Sequence, residues 1–436
     1  MSSIAGTRSY AETRGRSQAI FSDEFVFETA LFFLPVLAAF NIRFMGQLLF
    51  SDLVIVPLMA MALVARGIPA KRLIHYTLLG AAMWLLALVA SDILNQTPFS
   101  NLMRGWARNT LACFYLLFFV CALKPEPRSM TILAAGMAIG LSIQPFYLDR
   151  LNFELFLKFG AGTAGAWLIC AASMYAWRRR RPILPFAVLF GWIVLALSQN
   201  VRSLTSVSLG ALAFGIGAYY FSSFFRRMSV PTILFSLAIT GSVAIAGMAA
   251  GYGALAGSGT LGRTAQVKYL SESSGGDLSS LSSLWNARPA LRVAALVIGD
   301  SPILGHGSWY TDPQVTAAVL LFSNYVNQGS VAGLVRQVTE GEQAMGHSVI
   351  LQSWVEAGIV GAAFWIIVVG ICIAGALQSL RRPTILSPVL FIAAFVLIFD
   401  ALFSPFGSTQ RVWNMAELAV VLLIMTAPRR SDAERP

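Results

Sequence analysis

GHSVILQSWVEAGIVGAAFWIIVVGICIAGAL, residues 346–377, sets the fold class of this chain. From Ser348 to Leu377 it carries a single charged residue, Glu356. It exceeds the roughly 20 apolar residues with which a helix crosses a hydrocarbon core. His347, one of only 3 histidines in the chain, stands where a long polar stretch gives way to this apolar run.

The rest of the sequence agrees with that class. Hydrophobic residues make up 57%, charged residues 12%, and the mean hydropathy is +0.70. Soluble domains carry about 25% charged residues, so the composition reads as a polytopic membrane protein. Twelve apolar stretches read as spans: 26–44, 47–65, 73–91, 109–123, 129–147, 155–176, 183–198, 204–223, 231–252, 348–377, 384–402 and 411–427. Short connections and the absence of alternating polar/apolar strands favour helices strongly over a β-barrel. The organisation expected is a tail at 1–25, nine spans within 26–252, a large loop at 253–347, three spans within 348–427, and a tail at 428–436.

Charge fixes the expected orientation. Arg66, Lys71 and Arg72, Arg178 to Arg181, Arg226 and Arg227, and Arg381 and Arg382 lie in one set of short loops. Cytoplasmic loops carry such an excess, so both tails are expected inside. The net charge of +11 is mostly this rim and does not indicate a nucleic-acid partner. Ile20 and Phe21 lead into Ser22, Asp23 and Glu24, so the beginning reads as a tail and not as a signal peptide. Cys113, Cys121, Cys170 and Cys372 all fall in apolar spans without metal-ligand spacing.

The loop at 253–347 is then the one large segment on the opposite face. It contains a Ser/Gly stretch, SESSGGDLSSLSS (271–283), and a helix-like piece, NARPALRVAALVIGD (286–300). A turn, PILGHG (302–307), and a second helix-like piece at about 313–340 follow. Pro289 suits a first helical turn, and Arg288 and Arg292 share one face at i, i+4. Long ordered loops usually carry function, and this one reads as a lid over a site at the membrane surface.

The arginines outside the cytoplasmic rim include Arg104, Arg108, Arg202, Arg288, Arg292 and Arg411. Guanidinium forks match phosphate oxygens. Arg202, Arg288, Arg292 and Arg411 are therefore candidates for an anion site. His347 is the candidate base, because an imidazole gives and takes protons near neutral pH. Gln352 and Glu356 follow it on the same helix and are supporting candidates, as is His306 in the turn. At about 100° per residue Glu356 points nearly opposite to His347 and lies roughly 13 Å deeper, so it cannot orient that ring directly. Asp300, Glu340 and Glu342 are the candidate partners. Glu356 and Glu417 are ionisable groups inside apolar spans, which are functional suspects by default. Gly358 and Gly361 read as close-packing positions. No zinc signature is present.

GHSVILQSWVEAGIVG (346–361) resembles the signature of the bacterial O-antigen ligase/polymerase family, a His followed by Leu-Gln and Glu-x-Gly-x-x-Gly. ARPALRVAALVIGDSPILGHG (287–307) is similar to the Arg, amphipathic helix and Pro-x-x-Gly-x-Gly of that family's large periplasmic loop. VRS (201–203) resembles its Ser-Arg turn. The resemblance implies a GT-C-like, all-α inner-membrane glycosyltransferase of about 12 transmembrane helices, with no metal or other cofactor. Its implied donor is a glycan on undecaprenyl pyrophosphate, presented on the periplasmic face. The implied acceptor is a sugar hydroxyl on a lipid-linked repeat unit or on lipid A–core. SPFGSTQRVW (404–413) is more similar to the exopolysaccharide polymerases than to the ligases.

Overall fold

The computed structural model describes residues 23–43, 47–147, 162–178, isolated positions between 187 and 218, 222–260 with a few positions up to 269, 289–310 and 348–427. Within them the chain is mostly helical. Helix α1 spans Asp23–Leu37, and a two-stranded hairpin follows, β1 Asn41–Arg43 against β2 Gln47–Leu49. Then come α2 (Phe50–Arg66), α3 (Arg72–Leu94), α4 (Phe99–Ala122), α5 (Pro127–Tyr147), α6 (Gly162–Arg178), α7 (Ser222–Arg227) and α8 (Val230–Gly257). After these come α9 (Pro289–Asp300), α10 (Val349–Arg381), α11 (Ser387–Phe403) and α12 (Gln410–Thr426). Helices α3, α4 and α10 are long and apolar enough to cross a membrane. The chain is an all-α membrane protein in that sense.

Two expected boundaries move. The first span stops at Leu37, where Ala38 to Phe40 close the helix with turn hydrogen bonds and the chain enters the hairpin. Arg43 is therefore on a strand. The fourth span begins at Phe99 and not at 109, so Arg104 and Arg108 lie within a helix. The polar residues of MRGWARN (103–109) lower the hydropathy there without breaking the helix: the stretch has no Pro, and its glycine, Gly105, is helical and packed against Ser308. The spans at 183–198 and 204–223, most of the loop beyond Tyr310, the segment 313–340 and both tails lie largely or wholly outside the described residues.

The core forms where α3, α4, α10 and α12 meet. Trp84 of α3 stacks on Phe364 of α10 at 5.2 Å and meets Trp365 and Phe406 edge-on at 5.6 and 5.5 Å. Such ring pairs contribute beyond their buried area. Helix α12 is buried nearly all round from Arg411 to Leu423, which makes it the central helix of the described bundle. At the other end, Lys124 bonds Glu24, and Arg128 bonds Glu28 at 2.7 Å. Lys124 holds the Glu24 carboxyl below the ordinary carboxylate range, first by a hydrogen bond and then by its charge. Glu24 and both cations are exposed, so these pairs fix geometry more than they stabilise.

Helix α10 is not continuous. Its 33 residues would reach about 50 Å at 1.5 Å each, well beyond a roughly 30 Å hydrocarbon core. Gly358 interrupts it with φ 63° and ψ −158°. At the interruption the backbone of 303–307 supplies the missing partners. His306 N donates to Val355 O at 2.6 Å, and Gly307 N donates to Glu356 O at 3.1 Å. In return Ile359 N donates to Ile303 O at 3.2 Å. The stretch from Ile359 to Arg381 is long enough to span alone. Gly358 therefore does more than allow close approach: a side chain there would collide with the Ile303 carbonyl. Gly305, at φ 76°, faces it, and a Cβ on Gly305 would lie 2.6 Å from Gly358 N.

Gly358→Ala forces a non-glycine residue into left-handed backbone against another backbone. It is expected to destabilise the protein by about 1–3 kcal/mol or more. Thermal unfolding in lipid nanodiscs reads this as a lower midpoint, and an unchanged midpoint contradicts the break.

Candidate functional site

The turn at 301–310 is held from three sides, and each tether begins with a side chain that helix geometry fixes. Asp92, in the last turn of α3 and 1% exposed, takes Ser308 N and Ser308 Oγ, the latter at 2.7 Å. The same carboxylate accepts from Trp106 Nε1 at 2.8 Å. Asn95, at the end of α3, donates to Gly305 O at 3.1 Å, and Asn101 donates to Trp309 O at 3.3 Å. Gly105 makes room for Ser308, since a Cβ there would strike the Ser308 side chain. Buried carboxylates are tolerable only with their lone pairs satisfied, and Asp92 meets that condition through this turn.

The second tether is ionic. Arg108 (3% exposed) donates through Nη2 to the Glu356 carboxylate (1% exposed). Its Nε donates to Asn109 Oδ1 at 3.2 Å. The guanidinium lies 5.0 Å from the Trp309 ring centre and 5.5 Å from that of Phe406. Trp309 holds left-handed backbone, φ 54°, to present that ring. Cation–π contact gains most where water is excluded, as it is here. Glu356 thus serves a buried pair, one of the two readings open for it, and its main-chain carbonyl binds the turn.

The third tether is α9. Ala294, Val297 and Ile298 pack on Val355, with Leu351, Trp354 and Tyr310 around them. His306 Nε2 lies 2.8 Å from Val297 O, and its ring sits 4.4 Å from that of Tyr310. A ring nitrogen at a carbonyl oxygen must carry the proton, so His306 donates there. Trp354 Nε1 donates to Pro302 O at 2.8 Å.

A second ion pair lies at the start of α12. Arg411 bonds Asp52, whose carboxylate also accepts from Leu49 N at 2.6 Å and lies 2.9 Å from the Tyr115 hydroxyl. Arg411 is 3% exposed. Its charge is matched and its surface covered, so it joins α12 to α2 and does not present a fork outward. Gln352 is likewise buried and accepts from Phe406 N at 2.9 Å. It ties α10 to the segment that precedes α12. Glu417 is buried with Oε2 lacking a hydrogen-bond partner among the described residues. The Asn414 amide faces Asp400 at 3.0 Å when its nitrogen is turned to that carboxylate.

Of the residues singled out from sequence, Glu356 and His306 come together at the break, with Gln352 one turn before Glu356 on α10. Arg292 lies on α9, which packs on the same turns of α10. Arg411 stands apart with Asp52. His347, Arg202 and Arg288 lie outside the described residues, as do Glu340 and Glu342. Asp300 closes α9 and is exposed. Ser348, which follows His347, caps α10 by accepting from Leu351 N at 3.3 Å and donates to Ala401 O at 3.0 Å. The cysteines are free thiols. Among the described residues no group of three or more His, Cys, Asp or Glu is placed to hold a metal.

Sequence reasoning missed Arg108, Asp92 and Asp52 as organising groups. Their signal is present in a weak form: each is an ionisable group in a mostly apolar helix, the same criterion that flags Glu356, though each shares its helix with one Arg: Arg104, Arg72 and Arg66 respectively. No protein-family model and no curated protein matches this chain.

Replacing Arg108 by Leu leaves a buried carboxylate unpaired, which costs about 3–5 kcal/mol. Arg108→Leu combined with Glu356→Leu is expected to be clearly more stable than Arg108→Leu alone. A double-mutant cycle of unfolding midpoints in detergent checks it, and additive losses would remove the pair from the account.

Proposed function

We propose that this chain is a membrane glycosyltransferase of the inner membrane, acting on the periplasmic face. It moves a glycan from undecaprenyl pyrophosphate to a sugar hydroxyl, most simply to polymerise exopolysaccharide or O-antigen repeat units. The observation that carries this reading is the docking of 303–307 on 355–359. The described parts of the two stretches that resemble the O-antigen ligase/polymerase family, 289–307 and 348–361, are bonded to each other near the start of α10. That bonding brings α9, with Arg292, to the helix that His347 precedes.

In the reaction, the acceptor oxygen attacks the anomeric carbon as the bond to pyrophosphate breaks. His347 takes the acceptor's proton, and the donor's negative charge leaves on the pyrophosphate. One such step inverts the anomeric configuration. Arg202 with Arg288 or Arg292 holds the pyrophosphate and stabilises its charge, which suffices for a good leaving group. Arg411, matched by Asp52, contributes through the fold. Glu356 and Gln352 keep α10 and its neighbours in place, and His306 keeps α9 on the turn. No metal or other cofactor enters this scheme.

The second reading, ligation of a glycan to lipid A–core in lipopolysaccharide synthesis, uses the same site with another acceptor. A lipid-linked sugar transporter fits less well, because transporters gather their polar groups at the midplane between repeated halves.

His347→Ala is expected to abolish transfer at a normal protein level, and Arg202→Lys to lower it sharply, because a point charge cannot replace a planar fork. The assay is purified protein in proteoliposomes with a lipid-linked repeat unit. A ladder of product lengths identifies a polymerase and a single addition to lipid A–core a ligase. Unchanged product from His347→Ala contradicts the assignment.

A further inference from the structure

The apolar side chains at the break in α10 do not all point inward. Ile303 is 71% exposed, Leu296 of α9 is 64% exposed, and Leu304 is also exposed. Ile359, itself half exposed, donates its N–H to the Ile303 carbonyl, so these two exposed residues are neighbours at the break. Ile359 begins a stripe along α10 that continues two turns on at Ile366 and Ile367, both more than half exposed. In a helix long and apolar enough to span, such a stripe is the face that meets lipid. The exposed patch of the turn is therefore continuous with the lipid-facing surface of a span.

We propose that the 302–304 turn, with Leu296 of α9 beside it, is inserted into the membrane at the level where α10 enters it. The occupant of this patch is lipid acyl chain. Exposed apolar patches on a soluble surface are kept small, and larger ones mark contact surfaces. Trp354 supports the depth. Its indole N–H bonds Pro302 O while its ring remains partly exposed beside the turn, and tryptophan favours the boundary between headgroups and chains. Asp300, exposed at the end of α9, limits the depth, since its charge stays with water and headgroups. The turn thus enters the interface and not the hydrocarbon centre. Helix α9 consequently lies on the bilayer, with Ala294, Val297 and Ile298 against α10 and Leu296 toward lipid. The inference is independent of what the protein catalyses.

The test uses the full chain with Cys113, Cys121, Cys170 and Cys372 changed to Ala, reconstituted in phosphatidylcholine–phosphatidylglycerol vesicles. An environment-sensitive fluorophore is attached at Ile303→Cys, Leu304→Cys or, separately, Asp300→Cys. At 303 and 304 the emission is expected to shift to the blue and to be quenched by lipids spin-labelled high in the acyl chain, with little effect of aqueous iodide. At 300 the order reverses. Iodide quenching at 303 without lipid quenching overturns the proposal. Shielding at 303 from both quenchers also overturns it, because the patch is then covered by protein, either this chain or a second copy. Acyl-chain quenching at 300 as strong as at 303 overturns the interfacial depth. Should the cysteine-free background not fold, a photo-reactive phenylalanine at 303 in the native-cysteine protein gives the same answer: lipid adducts support the insertion, and adducts to protein alone refute it.

Discussion

The broken backbone of α10 is the constraint on which the described site depends. A helix that stops hydrogen-bonding to itself beside a membrane must find other partners, because an unsatisfied amide in apolar surroundings costs several kcal/mol. The partners here come from 303–307, a segment that follows α9 and lies about fifty residues away in sequence. Gly358 and Gly305 face each other with positive φ, and neither position has space for a side chain. The turn is thereby fixed to the helix in one register. Everything that the turn carries, α9 and His306 included, is fixed with it.

Buried charge reinforces this backbone joint. Arg108 reaches Glu356 at the break, and Asp92 accepts from both donors of Ser308, its N and its Oγ. Each carboxylate lies in a region where an unpaired charge would be expensive. Each therefore favours the arrangement in which the turn is docked. Arg411 with Asp52 does the same between α12 and α2. Pairs of this kind are weak evidence for net stability, but they penalise alternative packings in which one partner is left alone. The aromatic rings of Trp309 and Phe406 near Arg108 exclude water from the junction and strengthen the pair.

Much of this organisation was legible in the sequence. Apolar stretches of spanning length coincide closely with α3, α8, α10, α11 and α12, and Pro289 opens α9 as expected. The 302–307 turn was also expected. What the sequence did not disclose was where the turn goes. Gly358 looked like a packing glycine because nothing in a local window distinguishes close helix approach from left-handed backbone. Helical geometry separates Glu356 from His347, and its partner Arg108 falls outside the apolar run that begins at 109 although it lies within the helix. Hydropathy averages over MRGWARN and so cuts a helix where its polar face is merely turned inward. Arg411 stands at a helix end in the sequence, and only the fold shows its pairing with Asp52.

The functional reading inherits this geometry. Arginine-bearing α9 and the start of α10 are packed and bonded together through the turn, and on the proposed placement they meet a lipid-borne phosphate and a sugar hydroxyl. The claim beneath that reading is that the turn and the broken helix open and close together. Hydrogen–deuterium exchange on the protein in nanodiscs measures it directly. The amides of His306, Gly307 and Ile359 are expected to exchange as slowly as those in the middle of α10. Rapid exchange at those three amides, with the middle of α10 still protected, would contradict the account.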